Sequence, residues 1–253
     1  SGCEKLTSVT IPNNVVSIGD YVFEECYALA SVTIPNKINS IGDYAFSGCS
    51  NLCFTVTGTG IYRTLDNGKM LVKDGNELAA YPSARGVVAL PSNITKIGNN
   101  AFSGCEVLTS IIIPNSVASI GSDAFSGCIS ITSITIPGSV DSIGSGAFSG
   151  CNKLASVTIP DRVTSIGSSA FSGCSSLTSV TIPSSVTSIG GGAFSGCSKL
   201  EEVEFLTSDI AASNFPADAF PGGNTDDGTT LQAQYISTGA GTYTFADDAW
   251  STS

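Results

Sequence analysis

Residues 181–200 read TIPSSVTSIGGGAFSGCSKL, and residues 158–177 read TIPDRVTSIGSSAFSGCSSL, nearly the same words 23 positions earlier. Working outward from this pair, Cys recurs at 3, 26, 49, 105, 128, 151, 174 and 197, and every interval is 23 except that from 49 to 105. Phe keeps the step at 23, 46, 102, 125, 148, 171 and 194, and Pro keeps it at 12, 35, 91, 114, 137, 160 and 183. Three residue types held in one register are not chance. A period of this length signals a solenoid.

Within a unit, LTSVTIP carries Leu6, Val9 and Ile11 as its apolar positions, and Val9 and Ile11 alternate with Ser8 and Thr10. That period of two marks a strand with one buried face, and the Pro that follows cannot donate to a ladder, so the strand ends there. VVSIGD then adds Val15 and Ile18 before a Gly that allows a corner. Stretches such as DYVF, DYAF and SSAF predict one short helical or 3-10 turn. The Gly of each SGC, at 48, 104, 127, 150, 173 and 196, is placed to end that turn in a left-handed conformation. No unit buries its apolar face alone, whereas stacked units bury all of them. The expected fold is a mainly β, right-handed repeat solenoid. A parallel sheet lies on one face, with short turns and corners opposite.

The pattern L-x-x-V/I-x-I-P followed by V-x-x-I-G-x-x-A-F-S-G-C resembles the BspA-like, or treponemal, branch of the leucine-rich repeats. The resemblance spans about residues 1–222, and the end, from NFPADAF to ADDAW, looks like the terminal segment that follows such repeats. On its own residues, TTLQAQYIS predicts a helix and GTYTF a strand, so residues 223–253 form an acidic cap over the last apolar layer. The resemblance implies surface adhesion to host or matrix proteins.

From Cys49 to Cys105 lie two units and ten further residues. IYRTLDNGKMLVKDGNELAAYP has strand-like runs broken by Asn67-Gly68 and Asp74-Gly75, so residues 61–81 are expected to be a β-hairpin projecting from the solenoid. Similar insertions occur in the BspA-like family. Arg63, Lys69, Lys73 and Arg85 cluster there and suggest a second contact region for an acidic partner. The plainer account is that they guard exposed strand edges from pairing.

Of the 253 residues, 42% are hydrophobic and 12% charged, and the net charge of −11 argues against a nucleic-acid partner. Residues 201–253 hold nine acids and no Lys or Arg. No apolar run is long enough to span a bilayer, and no signal peptide is evident. The opening SGC matches the end of FSGC, so the chain is expected to be a fragment of a longer precursor.

Candidates for chemistry are few. Histidine is absent, which removes the usual general base and the commonest metal ligand. In-register Cys on stacked coils point in parallel, whereas a disulfide needs converging Cβ vectors, so a reduced core ladder is expected, with Cys53 the exception. No paired C-x-x-C offers a zinc site. NTDDG, with Asp226 and Asp227, lacks the full calcium-loop spacing and its terminal Glu. Asn93-Ile94-Thr95 fits a glycosylation sequon. No cofactor and no enzymatic activity are expected.

What remains is the outward side of the strands: Ser8, Thr10, Ser31, Thr33, Ser110, Ile112, Ser133, Thr135, Ser156, Thr158, Ser179, Thr181, Glu202 and Glu204. Stacked about 4.8 Å apart, they would form hydroxyl rows interrupted by Ile112 and turning acidic at the glutamates. One reading is a monomeric bacterial surface or secreted module that binds an extracellular macromolecule along this face. A second is a structural spacer whose repeats set length. A third, ice or lattice binding, is opposed by solenoid curvature and by the interrupted rows. Ser and Thr are also simply soluble β-formers.

Overall fold

The computed structural model describes residues 2–221, 231, 235, 238–246 and 249–252. Within them the SVT-type segments form nine strands: Ser8–Thr10, Ser31–Ile34, Cys53–Val56, Gly86–Ala89, Leu108–Ile112, Ser133–Thr135, Ser156–Thr158, Ser179–Ile182 and Glu202–Phe205. Wherever these strands pair with one another, they pair in parallel. Ser8 lies opposite Ser31, Ser133 opposite Ser156, and Ser179 opposite Glu202. Alternation sends Val32, Ile34, Val180 and Ile182 into the core. The chain is a β-solenoid.

The S-I-G stretch, expected as a corner, is itself a strand of two residues. Ser119–Ile120, Ser142–Ile143, Ser165–Ile166 and Ser188–Ile189 stack as a second parallel ladder. The Gly that follows serves close approach. Gly144 N–H donates to Ile120 O at 2.9 Å, and a Cβ on Gly144 would lie 2.5 Å from Ser122 N.

The stretch expected to be a helical turn contains turns and no helix. Cys128 N–H closes back on Phe125 O at 3.1 Å, but the amides of Asp123, Phe125 and Gly127 donate to Ser145, Ala147 and Ser149 of the next coil at 2.8, 2.7 and 2.8 Å. A helix would satisfy those amides internally and leave the coils unlinked here. The turn residues act as a third inter-coil ladder. The SGC glycines take the left-handed conformation as expected, with φ of 72° at Gly127, Gly150 and Gly173.

Inside, the rings of Phe102, Phe125, Phe148, Phe171 and Phe194 stack at centroid distances of 4.9 to 5.2 Å, nearly parallel. Phe220 continues the column at 4.6 Å from Phe194. Beside it the thiols of Cys49, Cys128, Cys151, Cys174 and Cys197 each donate to a Phe carbonyl of the preceding coil, as Cys151 Sγ does to Phe125 O at 3.3 Å, and Cys105 donates to Tyr81 O in the same way.

The 61–81 segment differs from expectation. It is a three-stranded antiparallel meander, Tyr62–Leu65, Met70–Lys73 and Glu77–Ala80, with a 3-10 turn at Asp66–Gly68. It does not project. Leu71, Val72 and Leu78 are fully buried, and Glu77 and Leu78 pair in parallel with Lys96 and Ile97, extending the second ladder. Side chains of Met70–Lys73 alternate between two cores. Leu71 joins the core of the first coils, and Met70 and Val72 join that of the later ones. Tyr81 then takes the place of Phe, its ring 5.7 Å from Phe102, and its N–H donates to Ala101 O as a Phe amide would. Ala84 takes the place of Cys, its N–H closing on Tyr81 O.

At the C-terminal end, Glu202–Phe205 pairs antiparallel with Gly241–Ala246, which pairs with Ala249–Thr252. Leu231, Tyr235 and Thr238 have helical backbone. Buried Tyr235 and Tyr243 close around Phe205, and Trp250 Nε1 donates to Pro221 O at 2.8 Å.

The outward sheet face as candidate functional site

Because strand side chains alternate, burying Val and Ile obliges their Ser and Thr neighbours to face solvent. Ser8, Thr10, Ser31, Ser133, Thr135, Ser156, Thr158, Ser179, Thr181, Ile112 and Glu202 are exposed, and Thr33, Ser110 and Glu204 are half-buried. Register brings them into two rows. Ser133 faces Ser156 while Thr135 faces Thr158, and Thr181 faces Glu204 with its Oγ1 donating to Glu204 Oε2 at 3.1 Å. Hydroxyls along such rows can donate and accept, which suits recognition of polar surfaces.

The rows contain members not picked out in the sequence, Cys53 and Thr55 one residue short of the 23-residue step, Val87 and Ala89 on it. Cys53 and Thr55 stand opposite Ser31 and Thr33, and Val87 and Ala89 stand opposite Ser110 and Ile112. The coil that starts at Cys53 has altered later markers: Tyr81 replaces Phe and Ala84 replaces Cys. Val88 to Pro91 resumes the register as expected, and the members overlooked there are its outward neighbours Val87 and Ala89, which carry no hydroxyl.

This irregular coil makes two clefts. Leu78 to Tyr81 is shorter than the equivalent Ile97 to Phe102, so the outer corners on either side meet across it. Asn100 Nδ2 donates to Asp43 Oδ1 at 3.0 Å, and Ser47 and Ser103 hydroxyls lie 3.2 Å apart. Beneath is a turn-side cleft of about 180 Å³ with Tyr44, Lys73, Glu77 and Lys96, the last two paired at 3.3 Å. Burial and the Asp123 carboxylate push the Tyr44 phenol up. The sheet-side cleft, of about 490 Å³, holds Asp66, Lys69, Met70, Tyr81, Ser83 and Arg85. There Tyr81 O–H donates to Asp66 Oδ2 at 2.5 Å, and burial together with that carboxylate raises the phenol's pKa. The four basic residues grouped by sequence are thus divided: Lys69 and Arg85 line the sheet-side cleft, Lys73 lines the other, and Arg63 is exposed and lines neither.

All nine cysteines are free thiols. Burial pushes Cys49, Cys151 and Cys197 up to about 12, so they remain protonated and are not nucleophiles at neutral pH. Cys53 is half-buried, and Cys3, although in register, is exposed. Among the described residues no group of three or more His, Cys, Asp or Glu is placed to hold a metal. Asp226 and Asp227 lie outside the described residues. Asn93 Nδ2 donates to Gly75 O at 2.9 Å. No helix among the described residues is long and apolar enough to cross a membrane.

A parallel β-solenoid with one strand, one short second strand and one turn per coil defines a leucine-rich-repeat scaffold. Residues 1–63 and 86–201 match the BspA type leucine rich repeat region in six copies, and the chain belongs to that family. The interval between the two matched stretches, residues 64–85, holds most of the meander. A leucine rich cell surface protein from Faecalibacterium prausnitzii A2-165 superimposes with a TM-score of 0.67 and 33% identity, over 81% of this chain and 61% of that one. The present chain therefore spans about three fifths of that protein's length. The pneumococcal vaccine antigen PcpA shares the fold, with a TM-score of 0.66 and 19% identity, over 92% of this chain and 65% of that one. No curated protein matches the chain.

Proposed function

We propose that the chain is a non-enzymatic, monomeric binding module, displayed on a bacterial surface or secreted, that engages a host or matrix macromolecule along the outward sheet face. Residues 1–222 form the binding array in this reading, and residues 223–253 its acidic cap. The observation that carries it is the exposed Ser and Thr of successive coils, Ser133/Thr135 paired with Ser156/Thr158, and Ser179/Thr181 held in step with them by the second ladder. A solenoid offers such rows as one extended surface rather than a pocket. The likeness to a protein described as a cell surface protein supports the location. Affinity in this arrangement is spread over repeats, so single hydroxyl losses weaken it little.

The test is capture of extracellular-matrix and serum proteins by the parent and by a Thr135→Arg/Thr158→Arg/Thr181→Arg variant, with circular dichroism to verify folding. Loss of capture by the folded variant is the expected result. Undiminished capture would move the site off the face, and failure of the parent to capture anything would favour the spacer.

A further inference from the structure

We propose that the break in the sheet between Cys53–Val56 and Gly86–Ala89 is a docking cleft for an extended, acidic and apolar segment of a partner protein, which adds as a strand to Gly86–Ala89. The proposal rests on the sheet-face reading and gives its partner a chemistry.

The outward strands pair in four groups, but at two of the breaks, Leu108–Ile112 to Ser133–Thr135 and Ser156–Thr158 to Ser179–Ile182, successive strands still lie against each other. Between Cys53–Val56 and Gly86–Ala89 the meander intervenes, so Gly86–Ala89 pairs with Leu108–Ile112 on one side only and its other edge is open. The 3-10 turn Asp66–Gly68 leans towards Cys53–Val56, where a Cβ on Gly68 would lie 2.7 Å from Phe54 O. The cleft of about 490 Å³ is left on the other side, against Val87, Val88 and Ala89. An edge strand presents its backbone donors and acceptors to an extended chain, and strand addition is a recurrent way of recognising peptides.

The side chains specify more. Val87 and Ile112, 70% and 60% exposed, are the most exposed of the large hydrophobic residues among those described, and they stand on a face made mostly of Ser and Thr. An apolar side chain of a bound strand would cover them. Lys69 and Arg85, the latter also donating to Ser50 O at 2.8 Å, line the cleft on a chain whose net charge is −11. The one carboxylate in the cleft, Asp66, is already engaged by Tyr81 and by Lys69 at 4.0 Å. Charge complementarity therefore favours acidic side chains in the segment. Ser83 Oγ, in the wall of the cleft, is buried without a hydrogen-bond partner.

Fluorescence anisotropy with a labelled Glu-Val-Glu-Val-Glu peptide tests this, beside Lys-Val-Lys-Val-Lys and an N-methylated form of the acidic peptide. The acidic peptide should bind at least tenfold more tightly than the basic one. N-methylation, Lys69→Glu and Val87→Ser should each weaken it at least tenfold, with folding verified by circular dichroism. Equal binding of both peptides, indifference to N-methylation or to the variants, or no binding at millimolar concentration would overturn the proposal. The two variants also enter the matrix and serum capture assay. Capture lost in the triple Thr variant but intact in Lys69→Glu and Val87→Ser rejects the cleft and keeps the face. Capture intact in all three rejects both.

Discussion

Gly144 and Gly150 lie in one coil and are glycine for different reasons. At Gly144 an added Cβ meets Ser122 N at 2.5 Å, whereas Gly150 has φ 72° and nothing nearer than 3.7 Å. Gly144→Ala should push two coils apart and cost about 1–3 kcal/mol as overpacking does. Gly150→Ala should cost about 1–2 kcal/mol from left-handed strain alone, and Gly150→Asn should recover part of it. Denaturant unfolding of the three variants checks this, because Asn at 144 would recover nothing. Phe148, fully buried between Phe125 and Phe171, should cost about 3–5 kcal/mol on truncation to Ala. Thr158→Ala on the face should change stability by less than about 0.5 kcal/mol in the same assay.

At the level of elements, the strand Met70–Lys73 is a partition with a core on each side. Leu71→Ala and Leu78→Ala should each cost about 2–5 kcal/mol. Hydrogen exchange should separate them: Leu71→Ala loosens the coils before residue 57, and Leu78→Ala those after residue 86. The strands flanking Pro and the left-handed SGC glycines were legible because alternation and the Gly requirement are local. The second ladder was not, since two residues such as Ser142–Ile143 are too few to show alternation. The meander was legible as strands but not as buried ones. Asn-Gly and Asp-Gly mark turns whatever the strands beside them pack against, and the run Met70-Leu71-Val72 is buried on both faces. The rows of Ser and Thr were legible for the same reason as the core opposite them. Val87 stands in register four residues before Pro91 but is not Ser, and the open edge beside it was not legible because it depends on where the meander packs.

Across the whole molecule, the thiol column links stability to pH. An unfolded thiol titrates near about 8.5, whereas burial pushes folded Cys49, Cys151 and Cys197 up to about 12. Cys128 and Cys174 shift in the same direction. Between those values the native state keeps protons that the unfolded chain releases, so stability is full below about pH 8.5 and falls as pH rises towards 12. Thermal unfolding at pH 7, 9 and 10 should show a falling Tm, and Cys→Ala replacement at 151 and 174 should flatten the slope. At pH 8 iodoacetamide should label Cys3 and Cys53 on the native protein and the seven buried thiols only after denaturation.

The in-register rows give the face a translational symmetry. Ser133/Thr135, Ser156/Thr158 and Ser179/Thr181 present the same two hydroxyls three times; the first two sets stand on paired strands about 4.8 Å apart, and the ladder through Ser142, Ser165 and Ser188 holds the third in step. A partner gripping one coil finds three equivalent berths, a statistical gain of about 0.6 kcal/mol, and one gripping two adjacent coils finds two. The same symmetry lets it slip by a coil at no energetic difference, so position along this stretch is undefined by the hydroxyls themselves. Only the places where the copying fails, Ile112 on one side and Glu202 and Glu204 on the other, can stop the sliding.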